Sequence, residues 1–148
     1  MRINHGDYEV DDDPARVDRD AVFAFLSTEA YWSTWRTRKD VAAQVDGAWR
    51  LVGAYQRDTG AMVGFARAVS DGVSTAYLAD VYVLASARGS GLGVALVDAM
   101  IEQGPGRDFR WLLHTRDAHG LYRRFGFVPP DERYLERPER WRAVSAEG

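Results

Sequence analysis

Three glycines at alternate positions, Gly89, Gly91 and Gly93, follow Arg88 and lead into an apolar stretch, Val94 to Gln103. A helix starting there leaves its first backbone N–H groups unpaired and carries partial positive charge at that end, so it can hold a phosphate. Glycine lets the backbone approach such a ligand with no Cβ in between, and Arg88 adds a formal charge at the rim. The alternative reading is a glycine-rich turn that only reverses the chain. Two common phosphate motifs do not fit. A P-loop needs Gly-x-x-x-x-Gly-Lys-Ser/Thr, and no Lys-Ser/Thr pair follows these glycines. A dinucleotide turn needs Gly-x-Gly-x-x-Gly, but Val94 holds the third position, and the strands before it read as hairpins rather than as βαβ.

The elements that must position this turn are legible from pattern. Asp18 can cap a helix whose apolar residues are Val22, Phe25 and Leu26, with Val17 and Val22 spaced as a hydrophobic staple. Tyr31, Trp32 and Trp35 interrupt it, and Arg38 to Val45 reads as a second short helix. Strands are expected at Trp49 to Gln56, Met62 to Ser70 and Thr75 to Leu84, joined by turns at Asp58-Thr59-Gly60 and Asp71-Gly72, which makes an antiparallel meander. After the glycine turn and its helix, Gly104-Pro105-Gly106 ends the run. Phe109 to His114 is then a strand parallel to the one ending at Leu84, because a helix separates the two. Asp117 to Phe125 forms a last helix with Gly126 as its stop, and Phe127-Val128 begins another strand. The order ααβββαβαβ predicts an α/β fold: a mixed sheet, antiparallel meander followed by parallel βαβ, with helices on both faces.

Composition narrows the function classes. The chain has 148 residues, 46% hydrophobic and 28% charged, and a net charge of −3. With no repeat and no Pro/Gly/Ser-rich linker, a single domain over residues 1–148 is expected. A nucleic-acid partner would normally show a basic patch, and none is present. Absence of cysteine removes disulfides and thiolate chemistry, and three scattered histidines make a metal site unexpected. Residues Met1 to Val10 are polar and no apolar run is long enough to span a bilayer, so a cytoplasmic protein without a membrane partner is expected.

The segment Arg88-x-x-Gly91-x-Gly93 after a Val-rich strand resembles the pyrophosphate-binding segment of the GNAT superfamily of acyl-CoA N-acetyltransferases. Downstream, Ala118-His119-Gly120-Leu121-Tyr122-Arg123-Arg124-Phe125-Gly126-Phe127 is similar to that family's Ala-x-x-Leu-Tyr-x-x-x-Gly-Phe segment. Two motifs about 30 residues apart, with the expected strand between them, extend the resemblance over roughly residues 18 to 128.

The resemblance implies a cleft between two splayed parallel strands that takes acetyl-CoA as cosubstrate. The backbone of Val81 and Val83 would pair with the pantetheine amides, and Gly89, Ser90, Gly91, Leu92 and Gly93, with Arg88, would bind the pyrophosphate. Tyr122 matches the family's proton donor to the leaving thiolate; its other reading is packing on the Leu121–Phe125 face. Where many members carry an asparagine seven residues before that tyrosine, this chain has Thr115, which can instead cap the last helix. The implied reaction is direct transfer to a primary amine of a small molecule or peptide. Asp80, on an otherwise apolar strand, is the first candidate to take the amine's proton, and a structural carboxylate near a strand bulge is its alternative. His119 is the second candidate, and His114 reads as structural. Tyr31, Trp32, Trp35 and Phe65 either wall the acceptor site or pack the helices on the sheet, and Arg67 either binds a substrate carboxylate or faces solvent. A non-catalytic acyl-CoA sensor or scaffold is the competing function, and a homodimer is open.

Overall fold

The computed structural model describes residues 1–30 and 35–140. Tyr31 and Trp32, assigned above to an aromatic wall or to packing, lie outside the described residues.

Local chemistry sets the helix starts. In α1 (Arg19–Thr28) the Asp18 carboxylate accepts the Ala21 N–H at 3.0 Å, and Val22, Phe25 and Leu26 turn inward. In α2 (Arg38–Asp46) Thr37 and Asp40 satisfy each other's backbone N–H groups as a capping box, with Val41 and Val45 buried. The glycine turn opens α3 (Leu92–Met100), which begins two residues earlier and stops three residues sooner than the apolar run suggests. The last helix, α4 (His119–Arg123), is shorter than the expected Asp117–Phe125.

The chain also opens with a hairpin that the pattern of polar residues hides: β1 (Arg2–His5) pairs with β2 (Tyr8–Asp11) across Gly6-Asp7. Gly6 has φ +59°, a left-handed value that suits the first position of a tight hairpin turn. The meander follows as β3 (Arg50–Gln56), β4 (Met62–Ser70) and β5 (Thr75–Val83), and β6 (Arg110–Leu113) completes the sheet in the order β1-β2-β3-β4-β5-β6. All neighbours are antiparallel except β5 and β6, which are parallel as the intervening helix requires. The expected strand at Phe127-Val128 is absent. Gly126 turns left-handed at φ +84°, the Phe127 N–H returns to the Tyr122 carbonyl, and Pro129-Pro130 have no N–H to offer a ladder.

Two cores sandwich the sheet. On one face Val52, Ala54, Ala66, Ala68 and Leu78 meet Leu92, Leu96, Val97 and Met100 of α3. On the other, Leu51, Tyr55, Phe65 and Tyr82 meet Val22, Phe25 and Leu26 of α1 and Val41 and Val45 of α2. Phe25 stacks on Tyr82 with ring centroids 3.9 Å apart. Phe65, fully buried beside them, packs helix against sheet rather than walling an acceptor site. Among the described residues, no helix is long and apolar enough to cross a membrane.

The cap of α1 offers a simple check on this account of helix starts. Asp18→Ala should lower unfolding stability by about 1 kcal/mol in urea titration, with an unchanged denaturant slope.

Candidate functional site

The site begins where β5 loses a neighbour. Pairing with β6 runs from Thr75↔Arg110 to Leu78↔Leu113 and ends there, while β5 continues to Val83. On its other side β5 stays paired with β4 out to Gly64↔Val83. Between Arg67↔Asp80 and Ala68↔Leu78 the register slips, so Ala79 is an extra residue, a bulge at the point where the strands part. The bulge resets the alternation of side chains. Leu78 faces α3, and beyond the bulge it is Val81 and Val83 that lean on that core while Tyr82 faces α1.

Backbone direction follows from one bond. The Leu84 N–H donates to the Val63 carbonyl at 2.8 Å, so residue 84 faces β4. Alternation then turns the N–H and C=O groups of Val83 and Val81 toward the side that β6 has left. Consistent with this, the Val83 carbonyl accepts from Arg88 Nε at 3.1 Å rather than from β4. The parted strands open a cleft of about 740 Å³ that includes Leu78, Ala79, Val81, Leu113, His114 and Tyr122 in its walls.

A second, smaller hollow of about 270 Å³ adjoins Val83 and is lined by Arg88, Gly89, Gly91, Leu92 and Gly93 with Leu121 opposite. Gly89 and Gly91 have φ of +83° and +81°, which an L side chain rarely adopts, and Gly91 is the N-cap of α3 with no side chain capping it. The first N–H groups of the helix therefore face the hollow without a side-chain partner. A Cβ at Gly89 would meet nothing within 4 Å, and one at Gly93 only Leu121 Cδ2 at 4.0 Å, so the space over the loop is open. Leu92 is buried in the core and anchors the helix end. The loop is also fastened from behind: Ser90 Oγ donates to the Ala87 carbonyl at 2.6 Å, and His5 of β1 lies 2.7 Å from the Ser90 carbonyl through Nε2. His5 escaped the sequence reading because its hairpin did.

Tyr122 is 8% exposed, packs edge-to-face on Phe127 and forms part of the larger cleft's wall. Asp80 is elsewhere. Its carboxylate faces the α1/α2 side and is 2% exposed, with Arg36 bonding both oxygens (2.7 and 3.0 Å) and Arg67 Nε adding a third bond at 2.8 Å. A buried carboxylate engaged this way is committed to its guanidiniums, since parting from either would strand a charge in a dry site. Of the two readings of Asp80, this geometry favours the structural carboxylate at the bulge over the proton acceptor. Arg67 is likewise not a solvent-facing residue, being 7% exposed and bound to Asp80. Thr115 accepts the Ala118 N–H at 3.1 Å and so helps start the last helix. His119 is exposed, outside both hollows. Trp35, 40% exposed, reaches the larger cleft from the α2 side together with Gln44.

The cleft's far end holds a chain of contacts that composition did not reveal. Tyr77 Oη lies 2.6 Å from His114 Nδ1, and His114 Nε2 lies 2.9 Å from Glu136. Burial, with Tyr134 and Glu136 nearby, pushes the Tyr77 phenol above its ordinary pKa. Among the described residues, no three His, Asp or Glu side chains gather as a metal site.

Comparison with known proteins agrees with this architecture. The profile of the acetyltransferase (GNAT) family matches residues 15–127. Three relatives each bear the name putative acetyltransferase. One, from Gibberella zeae, is 30% identical over 136 residues, covering 79% of this chain and 76% of its own. A crystal structure from Xanthomonas campestris pv. campestris, ascribed to the same family, superposes with a TM-score of 0.84 at 33% identity, covering 92% of this chain and 96% of its own. A third, from Deinococcus radiodurans, has a TM-score of 0.68 at 25% identity, with 91% and 92% covered.

The role given to Asp80 is open to measurement. Asp80→Asn keeps the shape but removes the charge that buried Arg36 and Arg67 both meet, and should cost about 3 kcal/mol or more of unfolding free energy in urea. A variant as stable as the parent would show that the carboxylate is not what holds the bulge.

Proposed function

The chain belongs to the acetyltransferase (GNAT) family, and on that footing we propose that it moves an acetyl group from acetyl-CoA to a primary amine of a small molecule or peptide by direct transfer. One observation carries the reading: the open edge of β5 at Val81 and Val83 leads straight into a helix N-terminus stripped of side chains at Gly89, Gly91 and Gly93.

The residues present suit acetyl-CoA. Amides of its pantetheine arm can pair with Val81 and Val83 as an added strand would. Its pyrophosphate can sit on the first N–H groups of α3, where the helix charge favours an anion, with Arg88 at the rim. The open space above Gly89 and Gly93 is what a backbone-held phosphate needs. Acetyl-CoA supplies the acyl group as a thioester, activated toward nucleophiles. The Val83 N–H, aimed at the open edge, is placed to donate to the oxygen on which charge develops. Tyr122 would give its phenolic proton to the departing sulfur as general acid.

Two variants separate binding from chemistry. Gly93 has ordinary helical backbone, and Asp at the second position of a helix complements its dipole, so Gly93→Asp should fold normally. The added carboxylate would face the pyrophosphate, and calorimetry should show acetyl-CoA affinity, expected near micromolar, weakened by about tenfold or more. Unaltered affinity would remove the phosphate from this helix. Tyr122→Phe keeps the ring and its contact with Phe127. Free-CoA release should fall about 10²-fold with acetyl-CoA affinity preserved, and an undiminished rate would return Tyr122 to the core.

A further inference from the structure

Direct transfer needs a group to accept the proton that the attacking amine loses, and Asp80 is engaged elsewhere. Among the described residues, a hydrogen-bonded series lining the larger cleft is suited to the task. Tyr77 comes from β5, one residue before the last pair with β6, and His114 follows the last residue of β6, so the two meet where the strands part. Glu136 reaches His114 from the segment 131–140, which lies outside the helices and strands. All three line the same cleft as Tyr122 and Val81.

We infer that Tyr77, His114 and Glu136 form a proton relay for the acceptor amine, with Tyr77 as the group that meets the nitrogen and His114 and Glu136 acting through it. The inference rests on the acetyl-transfer reading above. A carboxylate only accepts, so His114 Nε2 carries the hydrogen that faces Glu136 at 2.9 Å. In neutral imidazole Nδ1 is then an acceptor, and Tyr77 donates to it across 2.6 Å. When the amine nitrogen forms its bond to the acyl carbon and the carbon–sulfur bond breaks, that nitrogen passes a proton to Tyr77 Oη. Tyr77 gives its own proton to His114 Nδ1, and the resulting imidazolium lies against Glu136. The sulfur takes its proton from Tyr122, so one proton leaves nitrogen and one arrives at sulfur. Half-buried and flanked by Tyr134 and Glu136, the Tyr77 phenol keeps its proton at neutral pH, which leaves it a donor to the imidazole until the amine arrives.

Charges other than Glu136 also face this series and belong in any pH argument. Glu139 and Tyr134 come from the same segment, Arg116 and Asp117 from the loop after β6, and Asp80 and Arg67 act on Tyr77 from the sheet.

Two measurements test the relay. Nitrogen NMR of the labelled full chain should find neutral His114 protonated on Nε2. The Nδ1–H tautomer would overturn the relay whatever the acceptor, because Tyr77 could not then hand its proton on. Free-CoA release should next be followed from pH 5.5 to 9 with phenethylamine or putrescine as probe, whichever is acetylated, with each rate expressed per neutral amine because both probes are mostly protonated over this range. Tyr77→Phe and His114→Asn should each lower kcat/KM about 10²-fold and abolish the acidic limb of the profile. Glu136→Gln, which removes only the outer partner of His114, should lower kcat/KM by less than either of the other two. Acetyl-CoA affinity should persist in all three. A parental pH profile in His114→Asn would overturn the relay while leaving acetyl transfer intact. Failure of the parent itself to bind acetyl-CoA would instead overturn the reading beneath it.

Discussion

The carboxylate of Asp80 joins three pieces of chain that sequence order keeps apart. It sits on β5 beside the bulge at Ala79, takes Arg67 from the neighbouring β4, and takes Arg36 from the segment leading into α2. Arg36 also donates to Gln44 of α2 at 2.7 Å, which extends the link to that helix. Such a network is costly to bury and costlier to break, so once formed it leaves the bulge little freedom. The bulge in turn decides which face each residue after Leu78 shows, and thereby that Val81 and Val83 present their backbone to the gap left by β6. An ion cluster beside the bulge thus bears on the geometry of the cleft that opens next to it.

The second support of the site is the N-terminal hairpin. Its tip brings His5 to the Ser90 carbonyl, and a Cβ at Gly91 would lie only 3.4 Å from that imidazole. The loop that presents the start of α3 is therefore held by its own short-range bond from Ser90 and by a residue 85 positions distant. A loop with two positive-φ glycines has many conformations to lose on folding, and these contacts reduce that freedom before any ligand arrives.

What the sequence disclosed was mostly local. The Asp18 cap, the three meander strands and the parallel pairing around α3 depend on neighbours within a few residues or on a connection long enough to demand a crossover. The glycine turn was legible for the same reason, because φ and helix start are short-range properties. The first hairpin carried a recognisable Gly6-Asp7 turn, yet its strands hold only Ile3, Tyr8 and Val10 as apolar residues, too few to mark an alternation. Phe127-Val128 misled in the opposite sense, being apolar beside a turn but followed by two prolines that deny it a ladder. Long-range pairings were the real blind spot. Nothing near Asp80 announces Arg36, 44 residues away, and Tyr77, His114 and Glu136 are drawn together from three separate elements.

The parting of β5 from β6 has a meaning for the protein in isolation as well. An unpaired strand edge is a template on which another chain can lie, and folds commonly protect such edges with charge, proline or a covering element. Here the bare stretch is recessed, with Val81 and Val83 only partly accessible and the walls of a cleft rising beside them. Such a recess suits a slender extended molecule better than a flat neighbouring sheet. A recess of this kind gives a second sheet less to lie on than an open edge would.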